Sequence, residues 1–125
     1  MNLDEKTYRH LLDDTFARVD RAFEDVDPDL AEVSLSQGTL TITFLEKQRL
    51  MVTPQPSPRQ LWAAFRDRAW HFDWDDTRQA WLDDRGQGVD LLALVETTTR
   101  EMTNATVQIA RSPSSLFRGR LDFRL

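Results

Sequence analysis

Thr39-Leu40-Thr41-Ile42-Thr43-Phe44 alternates a threonine with a large apolar residue through six consecutive positions. Side chains of a strand point alternately to opposite faces, so the stretch reads as a strand with Leu40, Ile42 and Phe44 turned to a core and three threonines to water. One dry and one wet face is the pattern of an antiparallel sheet covered on a single side. Upstream, Glu32-Val33-Ser34-Leu35 alternates as well, and Ser36-Gln37-Gly38 supplies a short turn, so the two runs form a hairpin. Downstream, Glu46-Lys47-Gln48 is a polar tip and Arg49 to Thr53 returns as a third strand. Pro54, Pro56 and Pro58 predict a stiff turn that interrupts the sheet. Gln60 to Ala64 resumes the alternation with Leu61 and Ala63 inward and Gln60 and Trp62 outward. After a loop at Arg66-Asp67-Arg68, Ala69 to Trp74 is a fifth strand, with His71 on the wet face, and Gln79 to Leu82 a sixth.

The period changes at both ends of this run. Tyr8, Leu12, Thr15/Phe16, Val19, Ala22/Phe23 and Val26 recur at the spacing of an amphipathic helix, which Pro28 should end by disfavouring helix at Asp27. From Val89, the positions Leu91/Leu92, Val95, Thr99 and Met102 restore helical spacing, with Asp90 and Glu96 near the favourable amino end. A helix, about six antiparallel strands and a second helix predict an α+β fold. Both helices bury their stripes on the one apolar face of the sheet, giving a two-layer α-β sandwich. A chain of 125 residues is long enough for one real core and too short for two ordinary domains. Residues 1–104 are expected to form the domain and residues 105–125 a C-terminal extension. In the extension Thr106-Val107-Gln108-Ile109 alternates, and the remainder is net basic and carries Leu116, Phe117, Leu121 and Phe123. Those four apolar residues have no other core assigned to them, so the extension is expected to pack on the domain or to remain partly disordered.

Charge is distributed unevenly. The first 32 residues hold ten acids against four bases, and the other 93 hold eleven acids against twelve bases, so the overall −5 originates at one end. At about 100° per residue, Asp13, Asp20, Glu24 and Asp27 fall in a narrow arc beside the apolar stripe of the first helix. Like charges so placed repel one another and weaken the helix, which suits a cationic partner, either a metal ion or a basic protein surface; a solvated face of an acidic protein explains the pattern as well. Phosphates would be repelled by such a ridge, which argues against nucleic acid. Met1-Asn2-Leu3-Asp4-Glu5 shows neither the basic start nor the apolar run of a secretory leader, and no stretch reaches the ~20 apolar residues of a membrane span. The expectation is a cytoplasmic protein without a membrane partner.

The absence of cysteine excludes disulfides, thiolate metal sites and thiol nucleophiles. His10 and His71 fit no zinc-ligand spacing, and Gly86-Gln87-Gly88 lacks the rest of a nucleotide fingerprint. Solvated carboxylates make poor general acids, because one of a pair must be held protonated by burial. What remains is oxygen ligation of hard cations such as Fe²⁺, Fe³⁺, Mn²⁺, Ca²⁺ or Mg²⁺. Without a cage, affinity should be about micromolar or weaker, about 8 kcal/mol at most. The acid pairs Asp75-Asp76 and Asp83-Asp84 are second candidates, each in an apparent turn. Trp62 is the other unusual residue, since an outward tryptophan exposes much apolar surface and is a frequent protein-binding hot spot.

Thr53-Pro54-Gln55-Pro56-Ser57-Pro58-Arg59-Gln60-Leu61-Trp62 resembles the signature of the frataxin family, a polar and proline-containing turn followed by Gln, an apolar residue and Trp. His71-Phe72-Asp73, Trp81, Asp84 and the helix start Gly88-Val89-Asp90-Leu91-Leu92-Ala93-Leu94-Val95 follow in the family's order, and Gly38 to Phe44 is similar to its bacterial members. The resemblance spans about residues 7–104. It implies a non-enzymatic protein of iron–sulfur cluster assembly that binds Fe²⁺ and Fe³⁺ weakly through acids of the first helix and first strand. By position these are Asp13, Asp20, Glu24, Asp25, Asp27, Asp29 and Glu32. It also implies docking on a complex of cysteine desulfurase and the cluster scaffold protein through the ridge and through Thr53, Gln60 and Trp62. The protein is expected to be a monomer. Two rival readings are an acidic interaction module without a physiological metal and a ferroxidase-like protein that detoxifies iron. The latter would need a metal pair, and the Glu-x-x-His spacing of di-iron bundles is absent.

Overall fold

The computed structural model describes residues 3–111. The elements run α1 (Glu5–Ala22), β1 (Ala31–Ser36), β2 (Thr39–Phe44), β3 (Arg49–Gln55), β4 (Gln60–Phe65), β5 (Arg68–Asp75), β6 (Ala80–Asp83) and α2 (Leu91–Thr103). The six strands form one sheet in sequential order, and every neighbouring pair is antiparallel. Leu40, Ile42, Phe44, Leu50, Val52, Leu61, Ala63, Phe72 and Trp81 are buried on one face of it. Tyr8, Leu12, Phe16 and Val19 of α1 and Leu91, Leu92 and Val95 of α2 join them in a single core. This is the predicted two-layer α-β sandwich. Fully burying one such side chain is worth about 1.5–3 kcal/mol, so a common core is what holds the two layers together. Among the described residues, no helix is long and apolar enough to cross a membrane.

Several boundaries differ from the sequence reading. The first helix stops at Ala22, five residues short of Asp27. Asp4 caps its start by accepting the Thr7 amide at 2.7 Å, but at the far end the Phe23 amide turns back to the carbonyls of Asp20 and Arg21. Phe23 is buried, and the segment continues as successive turns, with Val26 N–H donating to Phe23 O and Leu30 N–H to Asp27 O. The chain leaves the helix axis where Phe23 enters the core, ahead of the proline. Pro54, by contrast, does not break the third strand, which runs on to Gln55 with Pro54 opposite Leu61. The β2 ladder ends at Val52, so Pro54 lies where β3 has a partner on one side only, a position at which a missing N–H is tolerated. The proline turn is confined to Pro56–Arg59, closed by Arg59 N–H to Pro56 O at 3.1 Å. The β4–β5 turn is also tighter than predicted: Arg66, at φ 58°, and Asp67 make it alone, and Arg68 pairs with Phe65. Gln37 and Gly38, both at positive φ, form the two-residue hairpin turn between β1 and β2.

Asp90, not Val89, opens α2. It bridges Leu82 in extended conformation and accepts the Leu92 amide at 3.1 Å. Beyond the αL cap at Asn104, Val107 and Ile109 are buried in the common core, and Glu96 accepts the Ile109 amide at 2.9 Å and pairs with Arg111 at 2.8 Å. Leu116, Phe117, Leu121 and Phe123 lie outside the described residues.

Candidate functional site

The acids of the sequence-predicted ridge occupy three consecutive pieces of chain. Asp13 and Asp20 project from α1, seven residues and therefore about 10 Å apart along its axis. Glu24, Asp25, Asp27 and Asp29 lie on the turns that follow, not on the helix, and Glu32 is on β1 opposite Thr43. The early end of α1 replaces the expected helical arc with a bent path, but all seven side chains are exposed. Asp27 organises its turn by accepting the Asp29 amide at 2.9 Å. Among the described residues, none of the seven is in an ion pair, and no three acidic or histidine side chains converge as a ready metal cage. Such carboxylates can attract a hard cation collectively and share it loosely, or meet a basic surface.

Asp14, their neighbour in sequence, is half-buried. It pairs with Arg18, which is only 8% exposed and also donates to Ala110 O at 3.4 Å. Arg18 thus ties α1 to the segment after α2, a structural role that no local pattern announces.

The second group lies on the outer face of the sheet. Cross-strand register places Thr53, Trp62 and His71 side by side on β3, β4 and β5. Trp62 faces outward at 37% exposure, and Met51 on the same face is 40% exposed. The Trp62 indole and the His71 imidazole stack with centroids 4.1 Å apart and planes 17° from parallel. Gln60 accepts the indole N–H at 2.8 Å and donates to Asp73 at 3.0 Å and Asp84 at 3.1 Å. His71 Nδ1 stands 3.7 Å from Asp84 Oδ2. His71, Asp73 and Asp84 therefore join the face that sequence assigned to Thr53, Gln60 and Trp62. The tight Arg66-Asp67 turn would have revealed the pair: a three-residue loop sets Phe72 opposite Trp62, a two-residue turn sets His71 there.

Two further groups support this face. Tyr8 of α1 donates its hydroxyl to Gln60 O at 2.8 Å, and burial pushes that hydroxyl's pKa above the ordinary phenol value. Asp83 accepts the amides of Val89 at 2.7 Å, Gln87 at 3.1 Å and Arg85 at 3.2 Å, closing the loop that carries Asp84. Desolvation raises its carboxyl, but these backbone donors outweigh it and hold the pKa below the usual carboxylate value.

The six-stranded α-β sandwich carries an acidic edge and an outward tryptophan, and a frataxin-like domain matches residues 1–105. The chain belongs to the frataxin family. It is similar to the iron-sulfur cluster assembly protein CyaY of Stutzerimonas stutzeri, at 37% identity over 101 residues covering 81% of this chain and 90% of that one. The frataxin of Psychromonas ingrahamii shares the fold with a TM-score of 0.77 at 20% identity, over 86% of this chain and 99% of that one. Trimeric frataxin of Saccharomyces cerevisiae, complexed with ferrous iron, shares it with a TM-score of 0.56 at 21% identity, over 84% and 90%.

Proposed function

We propose that this protein serves iron–sulfur cluster assembly as a cytoplasmic, monomeric iron-binding factor. It docks on the complex of cysteine desulfurase and cluster scaffold, as regulator or iron donor, and is not itself an enzyme. Iron is its cargo, held weakly by Asp13, Asp20, Glu24, Asp25, Asp27, Asp29 and Glu32. The observation that carries this reading is the run of seven exposed carboxylates without an ion pair among the described residues. Membership in the frataxin family and similarity to an iron-sulfur cluster assembly protein, CyaY, support it. Thr53, Gln60 and Trp62 supply the second contact, an exposed aromatic with a polar surround of the kind that acts as an interface hot spot.

The two surfaces suit different steps. The ridge attracts a basic partner at long range and favours fast encounter, whereas the Trp62 face slows release by burying apolar area. A pull-down with desulfurase and scaffold, with and without ferrous iron, tests the reading. Capture by the intact chain and loss of capture by the Trp62→Ala variant are expected. Equal capture by both would contradict it.

A further inference from the structure

Gln60 has neither end of its side-chain amide free. Its Oε1 accepts the Trp62 indole N–H, and its Nε2 donates to both Asp73 and Asp84. A primary amide has two N–H donors, and here both are spent on carboxylates. Only this orientation makes all three bonds, since the reversed amide would set its oxygen against two carboxylates and its donors against an N–H. From the other side, the His71 ring lies flat on the indole, and Asp84 stands beside its Nδ1. Trp62 is therefore held at its edge and across one face by groups from β4, β5 and the loop after β6, while more than a third of it remains open.

We propose that Gln60, His71 and Asp84 are positioning residues for Trp62: they fix its rotamer before a partner arrives, whether or not Gln60 also meets that partner. This rests on the reading of the outer face as a docking surface. A hot-spot side chain that must be immobilised on binding loses affinity to its own rotamer entropy, and one already held does not. Stacking of His71 on Trp62 and the amide bridge act together, because one holds the ring face and the other its N–H edge. Asp84 acts through both partners, orienting the Gln60 amide and the His71 ring. The sequence-stretch Gln60-Leu61-Trp62 thereby gains a reason for its spacing: residues two apart on a strand share a face, which lets Gln60 reach the indole N–H.

The test uses the ¹H–¹⁵N cross-peak of the Trp62 indole, identified by its loss in Trp62→Phe, together with docking of the full chain on the desulfurase–scaffold complex. Gln60→Ala and Asp84→Ala should move that cross-peak and weaken docking about threefold to tenfold without changing the melting temperature appreciably. His71→Ala should do the same, whereas His71→Phe, which keeps a ring to stack, should dock within about twofold of the parent. An unmoved cross-peak in Gln60→Ala would overturn the network. A moved cross-peak with unchanged docking, while Trp62→Ala still weakens docking, would overturn positioning and leave the docking surface standing. Unchanged docking by Trp62→Ala would overturn the surface itself and the inference with it.

Discussion

The Trp81 indole on β6 donates its N–H to Thr15 Oγ1 on α1 at 3.0 Å, a buried bond between residues 66 positions apart. Thr15 in turn donates a hydrogen bond from its own hydroxyl to Leu11 O at 2.7 Å, so one threonine satisfies the indole and is itself satisfied. The Tyr8 ring meets Trp81 edge-on at 6.2 Å and Trp74 meets it at 5.3 Å. This contact sets where α1, and with it the start of the acidic ridge, lies against the sheet.

Replacing Thr15 with Val keeps the shape of the side chain and removes the acceptor. The indole N–H is then buried without a partner, which costs about 1–3 kcal/mol. Urea denaturation should show that loss, with iron binding unchanged because Thr15 is not in the ridge. An undiminished midpoint would mean that the indole finds another acceptor.

Trp62→Ala should destabilise far less than the roughly 3–5 kcal/mol of a buried tryptophan truncation, because its outward face leaves little cavity behind. Docking on the desulfurase–scaffold complex should nevertheless fall as for a hot spot. Calorimetry of the variant and its capture by the complex measure the two effects separately.

Asp83 makes the stability of the β6–α2 loop depend on pH. Its carboxyl titrates lower in the folded chain than the ordinary 3.8, so its contribution is fully present above that value and disappears as pH falls through the folded pKa. Asp83→Ala should therefore melt lower than the parent at neutral pH, and the two should converge in strong acid. A difference that grows on acidification would reverse the assigned sign.

Deleting residues 112–125 should lower the melting temperature and leave iron stoichiometry unaltered. The described chain ends at Arg111, just after Val107 and Ile109 enter the core and Ala110 O meets Arg18. Leu116, Phe117, Leu121 and Phe123 lie outside the described residues, and burial of two or three such side chains contributes several kcal/mol at about 25 cal/mol per Å². Identical melting would make the tail a passenger. Tighter iron binding by the truncated chain would make its arginines a mask over the ridge.

Local pattern carried most of this fold. The threonine-apolar alternation of β2 shows directly which face is buried, because strand periodicity needs no distant information. Where a distant contact decides, the pattern was insufficient. Phe23 ends α1 early by entering a core assembled from other elements, which displaced Glu24 and Asp27 from the helical arc on which their spacing would place them. Arg18 reads as a polar helix residue, and its burial goes with a bond to Ala110 O, 92 positions away, that no local spacing encodes. Alternation alone puts His71 on the wet face, but its stacking on Trp62 depends on a strand register that a one-residue difference in the β4–β5 turn shifts.

Association with the desulfurase should respond to salt, since exposed charges are screened beyond ~8 Å at physiological ionic strength. Raising salt should slow association far more than it speeds dissociation. Salt-insensitive association would move the interface off the ridge.

The most direct test of the central claim is an iron titration of the chain carrying Asp20→Asn, Glu24→Gln, Asp25→Asn and Asp27→Asn together. One substitution should do little, because exposed carboxylates attract a cation collectively. The fourfold variant should lose most iron binding while keeping its fold, with stability equal or slightly higher as repulsion along the ridge falls. Unchanged iron affinity in a folded fourfold variant would contradict the assignment of the ridge as the metal site.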